Sequence, residues 1–89
     1  MRDWIFITPR AVSMASIASE VARKHGLTVR ALKRQTTAIV IARPRQEAMA
    51  RMKAAGWSNA QAAGFFGLDH TTCVHAVRKF RALAQQEAA

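Results

Sequence analysis

Asp69, His70, Thr71 and Thr72 set four polar side chains in a row ahead of a mostly apolar run, Cys73-Val74-His75-Ala76-Val77. The pattern reads as the opening of a helix. Asp69 suits the N-cap, where a carboxylate accepts one of the backbone N–H groups left unpaired in the first turn. His70, Thr71 and Thr72 then occupy that turn, beside free N–H donors and the positive end of the helix dipole. Short hydroxyl and imidazole side chains there exchange hydrogen bonds with phosphate oxygens and with base edges. The chemistry on offer is recognition of an anionic polymer, not bond breaking.

Charge points the same way. Fourteen Lys and Arg oppose five Asp and Glu in 89 residues, a net charge of +9 with a pI near 11.7. A basic domain of this size has the electrostatic footprint of a nucleic-acid binder, since each neutralised phosphate releases counterions. An anionic membrane surface would call for a basic amphipathic helix with exposed large apolar residues, and none is evident. No nucleophile, base and orienting group fall together, so no enzyme is expected. His70, Cys73 and His75 do not share one helix face and have no fourth ligand nearby, so neither a metal nor another cofactor is expected. The single Cys73 excludes an intramolecular disulfide and fits a reducing compartment. Trp4-Ile5-Phe6-Ile7 is too short for a signal peptide or a membrane span and is followed by Pro9. These features predict a soluble, cytoplasmic, nucleoid-associated protein. Trp4, Ile5, Phe6 and Ile7 are expected to pack on the core, or else to form an arm for a protein partner.

The elements that must position the polar run are helical. Met14, Ile17, Ala18, Val21 and Ala22 recur at helical spacing, and Gly26 is a natural stop, predicting a first helix over residues 13–25. Thr28 can cap a short second helix through Leu32 and Lys33. Residues 34–42 are rich in β-branched side chains, which predicts a loop or extended connector. Pro44 suits position N1 of a third helix that turns Ala48, Met49 and Met52 inward and ends at Gly56, with Trp57 at the junction. Ser58 with Gln61 is a capping-box signature for a fourth helix ending at Gly67. A fifth is predicted over residues 70–85, with Val74, Val77 and Phe80 or Leu83 inward and Thr71, His75, Arg78 and Lys79 outward. Cys73 is expected in the core. The fourth and fifth helices around Gly67 have helix-turn-helix organisation, in which the N-terminal residues of the second helix meet base edges in the major groove. The expected organisation is an N-terminal extension, 1–12, a helix-turn-helix domain, 13–85, and a frayed tail, 86–89. The fold class is all-α.

Three segments carry a family resemblance. They are Val21-Ala-Arg-Lys-His-Gly-Leu-Thr-Val-Arg-Ala-Leu-Lys33, Ala42-Arg-Pro-Arg-Gln-Glu-Ala-Met49 and Phe66-Gly-Leu-Asp-His-Thr-Thr-Cys-Val-His-Ala-Val-Arg-Lys-Phe80. Across residues 21–80 the chain resembles the C-terminal DNA-binding domain of the bacterial chromosomal replication initiator DnaA. The resemblance implies a small domain of about five helices, of the Trp-repressor-like, DnaA C-terminal type, that binds short asymmetric sites on double-stranded DNA. It implies base contacts from Asp69, Thr71 and Thr72. Phosphate contacts are implied for His70, Lys53, Arg43 and Arg45, and Arg34, His75 and Arg78 are expected to join them. Threonine offers both a hydroxyl and a methyl, which suits a base pair containing thymine, while Arg and Lys hold the backbone.

The departures from the family pattern are specific. The turn before Asp69 is Gly67-Leu68, one residue shorter than the common Gly-Gly-Arg, so Leu68 stands where an arginine often reads a guanine. The connector before Arg43 lacks the family's arginines. Asn59 and Ala60 replace a common Leu-Pro pair. No Gly-x-x-x-x-Gly-Lys-Ser/Thr loop is present, so no nucleotide partner is expected. Together these predict a domain acting without the initiator's ATPase, with shifted site preference, in the regulation of replication initiation or of transcription. The alternative is a protein-interaction module or replication-partner adaptor whose charge is incidental.

Overall fold

The computed structural model describes residues 12–88. They form five helices, α1 (Met14–Lys24), α2 (Val29–Leu32), α3 (Ile39–Ala54), α4 (Asn59–Phe65) and α5 (His70–Ala88), with no strand among the described residues. The expected residues 1–12 extension, including Trp4 to Ile7, lies outside them except for Val12.

Three of the four connections share one local design. His25-Gly26-Leu27-Thr28, Ala55-Gly56-Trp57-Ser58 and Phe66-Gly67-Leu68-Asp69 each read as a helix C-cap, a glycine, an apolar residue and the residue before the next helix. In the last, Gly67 takes φ +71°, a left-handed conformation that costs a side-chain-bearing residue. That reversal lets Leu68 N donate to the Ala63 carbonyl at 2.8 Å and Gly67 N to the Gly64 carbonyl at 3.0 Å. These are the paired bonds of a Schellman stop. The same pair recurs after α1, Leu27 to Ala22 and Gly26 to Arg23, and after α3, Trp57 to Met52 and Gly56 to Lys53. Leu27, Trp57 and Leu68 then pack against the core. Glycine turns the chain, and the following apolar side chain anchors the turn.

Thr28 and Ser58 cap as their types predict. Thr28 Oγ1 accepts from Ala31 N at 3.1 Å, and Ser58 and Gln61 form the full capping box. Ser13 caps α1 through Ser16 N.

α3 packs against all four other helices. The core gathers Ile17, Val21, Leu32, Met49, Met52, Phe66, Cys73 and Val77. Ala48, Met49 and Met52 turn inward and Cys73 is fully buried, in line with their spacing. Val74, expected inward, is only partly buried, and Ala76 takes the core position instead.

Two boundaries differ from the sequence expectation. α3 begins at Ile39, so Pro44 lies inside the helix rather than at N1. Proline there forgoes one i to i−4 bond, and β-branched Ile39, Val40 and Ile41 are indifferent helix formers. Tertiary contacts override both costs. Ile41 and Pro44 are buried, and the incoming connector is braced by hydrogen bonds described below. The second difference is at the other end, where α5 continues to Ala88 instead of fraying at Gln85.

Candidate nucleic-acid interface

Cys73, Ala76 and Val77 fasten α5 to the core, which leaves Thr71, Thr72, His75, Arg78 and Lys79 exposed on its opposite face. With about 3.6 residues per turn, Thr71, His75 and Arg78 form a ridge along the outside, with Thr72 and Lys79 on one flank.

A cleft borders each flank. On one side Lys53 and Asn59, from α3 and α4, face Val74, Arg78 and Arg81 of α5. Lys53 and Arg78, far apart in sequence, thus meet in one cationic groove. Arg81 was missed in the sequence, although it falls three residues after Arg78 on the same helix side. On the other side the connector approaches α5. Thr36, Thr37 and Leu68 share a cleft with Thr72, and Thr37, Ile39 and Arg43 share the adjoining one with Lys79. Arg34 is exposed on the connector itself.

The opening of α5 departs from the expected cap. The Asp69 carbonyl accepts from Thr72 N at 3.0 Å and from Cys73 N at 3.4 Å. Its carboxylate lies 3.4 Å from His70 Nδ1, with both side chains largely exposed, and takes no hydrogen bond from a first-turn amide. Asp69 therefore differs from Thr28 and Ser58, whose side chains do close their helix starts.

Arg45 stands apart from the other expected phosphate contacts. It is only 8% exposed. Its guanidinium donates to the carbonyls of Arg34 at 2.6 Å, Thr36 at 2.8 Å and Leu32 at 3.5 Å. The planar fork of donors matches a bend of backbone carbonyls that no helix or sheet satisfies. Burial lowers the Arg45 pKa below its usual value. Gln35 completes the brace, its Nε2 donating to the carbonyl of Phe66 at 3.1 Å. Phe66 caps α4, so Gln35 ties the connector directly to the turn that aims α5. Lys33 Nζ also sits 4.3 Å above the Phe65 ring, a cation–π contact between the end of α2 and α4.

A second buried charge lies on the far side of α3. Glu47 is 5% exposed, and its carboxylate meets Lys24 Nζ at 2.9 Å, His25 Nε2 at 3.0 Å and Arg51 at 3.1 Å. Burial alone would raise its pKa, but the hydrogen bonds from Lys24 and His25 and the charges of Lys24 and Arg51 outweigh it. The result lies below the ordinary value. This network pins α1 to α3. Glu47 was not singled out in the sequence; its signal was a lone acid four residues before Arg51 on one helix.

No group of three His, Cys, Asp or Glu side chains among the described residues is arranged to hold a metal ion. No helix among them is long and apolar enough to cross a membrane. Cys73 Sγ is buried 3.7 Å from Asn59 Oδ1, and burial raises its pKa.

The chain was compared with known proteins. No solved structure matches it. The family model described as the bacterial dnaA protein helix-turn-helix matches residues 7–80. That span takes in all of α1 to α4 and the first half of α5, including the polar opening at Asp69 and the connector-side clefts, while Arg81 of the other cleft lies beyond it. The chain belongs to the bacterial DnaA C-terminal helix-turn-helix family.

Proposed function

We propose that this domain binds double-stranded DNA at specific sequences, with α5 as the recognition helix in the major groove. One observation carries the reading: an exposed polar helix start, Thr71, Thr72 and His75, lies between two clefts that each present cations. A duplex seated on such a helix brings a phosphate strand to either side, and the cations stand where those strands run. Asp69, Thr71 and Thr72 meet base edges. Lys53, Arg78, Arg81, His70 and His75 meet phosphates, as do Arg43 and Arg34 on the connector side. Arg45 is left out, because its guanidinium already serves backbone carbonyls. Leu68 packs on the core, so the short turn reads no base, and site preference shifts toward what the threonines select.

The biological role we infer is regulation of replication initiation or of transcription by occupancy of such sites, in the cytoplasm at the nucleoid. Selection of binding sites from random duplexes tests the binding itself. One enriched motif is the expected result, and a pool with none would overturn it. Thr72→Ala should remove about 1–3 kcal/mol of discrimination at one base pair. Lys53→Ala should weaken binding to all sequences alike and lower the salt slope by about one. Footprinting across origin and promoter DNA separates the two roles.

A further inference from the structure

The apolar side of α5 outlasts the core it serves. Cys73, Ala76 and Val77 are buried in the core, and Phe80 packs against it. The same stripe continues through Leu83 and Ala84 to Glu87, in the i, i+3, i+4, i+7 order of one helix face. There it borders a furrow of about 290 Å³, with Lys24, Gln46 and Glu47 on the far wall. Leu83 is only partly buried, and Ala84 and Glu87 are exposed. Lys24, Glu47 and Phe80 also line the adjoining cleft, so the furrow runs on along α3.

Charge narrows the occupant. Residues 82–89, Ala-Leu-Ala-Gln-Gln-Glu-Ala-Ala, hold one acid and no Lys or Arg in a chain of net charge +9. Glu47 and Glu87 line the furrow and repel phosphate, so a duplex is a poor match. An anionic membrane surface needs Lys and Arg beside the apolar stripe, and this stretch has none. A second copy fits. Its own distal α5 brings Leu83 and Ala84 as an apolar face and Glu87 as a carboxylate for Lys24, whose side chain is 56% exposed. It brings no cation. The furrow also holds Gln46 Oε1, buried and without a hydrogen-bond partner, and Gln85 and Gln86 of a second α5 carry amide donors.

We propose that two copies pair through this stripe, their α5 helices antiparallel about a two-fold axis between Leu83 and Ala84, and that the dimer bridges two DNA segments. The bridging rests on the DNA-binding reading above. In a two-fold contact, residue i meets j as j meets i. This register sets Leu83 of each copy against Ala84 of the other, and Glu87 of each beside Phe80 and Lys24 of the other. The orientation of the reading heads follows from helix geometry. Phe80 lies nine residues after Thr71, about 2.5 turns, so the stripe and the Thr71 ridge occupy opposite sides of α5. Pairing the stripes turns the two ridges away from each other. One straight duplex cannot meet both, whereas two segments can.

The test uses the full chain and the duplex recovered by site selection. In sedimentation equilibrium the wild type should approach twice its 9.8 kDa as concentration rises. Leu83→Glu should stay monomeric, Leu83→Met should still pair, and Glu87→Lys should pair more weakly, because it sets a cation against Lys24. Circular dichroism should show all three variants folded, since none of these side chains is in the core. Beads carrying one copy of the duplex should retain a second, fluorescent copy through the wild type and not through Leu83→Glu. That variant should bind a single duplex with unchanged affinity and salt slope. The selected motif should be one asymmetric site. An inverted repeat at fixed spacing would mean that both heads read one duplex and would overturn the outward geometry. A wild type that stays monomeric, or a dimer that survives Leu83→Glu, overturns the pairing while leaving the DNA reading intact. So does a monomer whose Leu83 methyl resonances move only on addition of an acidic amphipathic peptide, which assigns the furrow to a different protein. A dimer that Leu83→Glu dissolves, with no duplex bound at low salt, upholds the pairing and overturns the DNA reading and the bridging.

Discussion

Arg45 separates two accounts of a basic residue that its type alone cannot distinguish. As a phosphate contact, its loss would weaken DNA binding and leave the fold untouched. As the brace seen here, its loss would do the reverse. The guanidinium makes two short hydrogen bonds, 2.6 Å to the Arg34 carbonyl and 2.8 Å to the Thr36 carbonyl. Hydrogen bonds to a charged group contribute about 1.5–3 kcal/mol each. Arg34 is exposed and Thr36 partly so, so water recovers some of that when the side chain is removed. The net cost of Arg45→Ala comes to about 2–4 kcal/mol. For a domain of this size that lowers Tm by roughly 10–25 °C. Urea titration followed by circular dichroism measures the loss, and Arg45→Lys should recover only part, because one ammonium cannot serve both carbonyls as a fork does. The salt dependence of duplex binding is the second assay, read below the melting range. Each phosphate contact contributes about 0.9 to the slope of log K against log salt, and Arg45→Ala should leave that slope unchanged. A variant as stable as wild type with a slope lower by one would refute the brace.

Three further outcomes follow from the same geometry. Glu47→Gln should destabilise the fold by about 1–3 kcal/mol, since the freed Lys24, His25 and Arg51 can rehydrate. The Glu47 pKa is lowered in the folded state, so its contribution is full above the unfolded carboxylate value of about 4.3 and fades as pH falls through the lower folded value. Urea midpoints against pH should show wild type losing stability in that acidic range, with a flatter curve for the glutamine variant. Ser58→Ala breaks the capping box of α4 and should cost about 1 kcal/mol in urea unfolding, with no change in the salt slope of binding. Cys73 is fully buried with a raised pKa, so it should resist iodoacetamide near neutral pH in the native protein and label rapidly in denaturant. Fast native labelling would mean that α5 opens from α4 far more often than this packing permits.

Much of this fold was readable before any coordinates. Helical periodicity, the glycine-apolar turns and the capping residues Thr28 and Ser58 act over a few neighbours, so residue types alone carry them. The inward set Ala48, Met49, Met52 and Cys73 follows from the same period. The outward Thr71, His75, Arg78 and Lys79 follow from the position of α5 after Gly67. Most of the features that local pattern missed depend on partners distant along the chain. β-Branched Ile39 to Ile41 predict a connector until the burial of Ile41 and Pro44 draws them into α3. Arg45 reads as one more basic residue until the carbonyls of Arg34 and Thr36 fold back onto it. Glu47 gains two of its three partners, Lys24 and His25, only when α1 lies on α3. Asp69 has the type of a cap, yet its carboxylate turns toward His70. The sequence by itself determined how many helices form, where the chain turns and which side chains open α5, because those choices are settled by bonds within one or two turns. Tertiary structure alone decided which charges stay exposed and which serve the interior. A charge's role depends on the groups that desolvate and pair with it, and here those groups lie on other helices or on the connector folded back over α3.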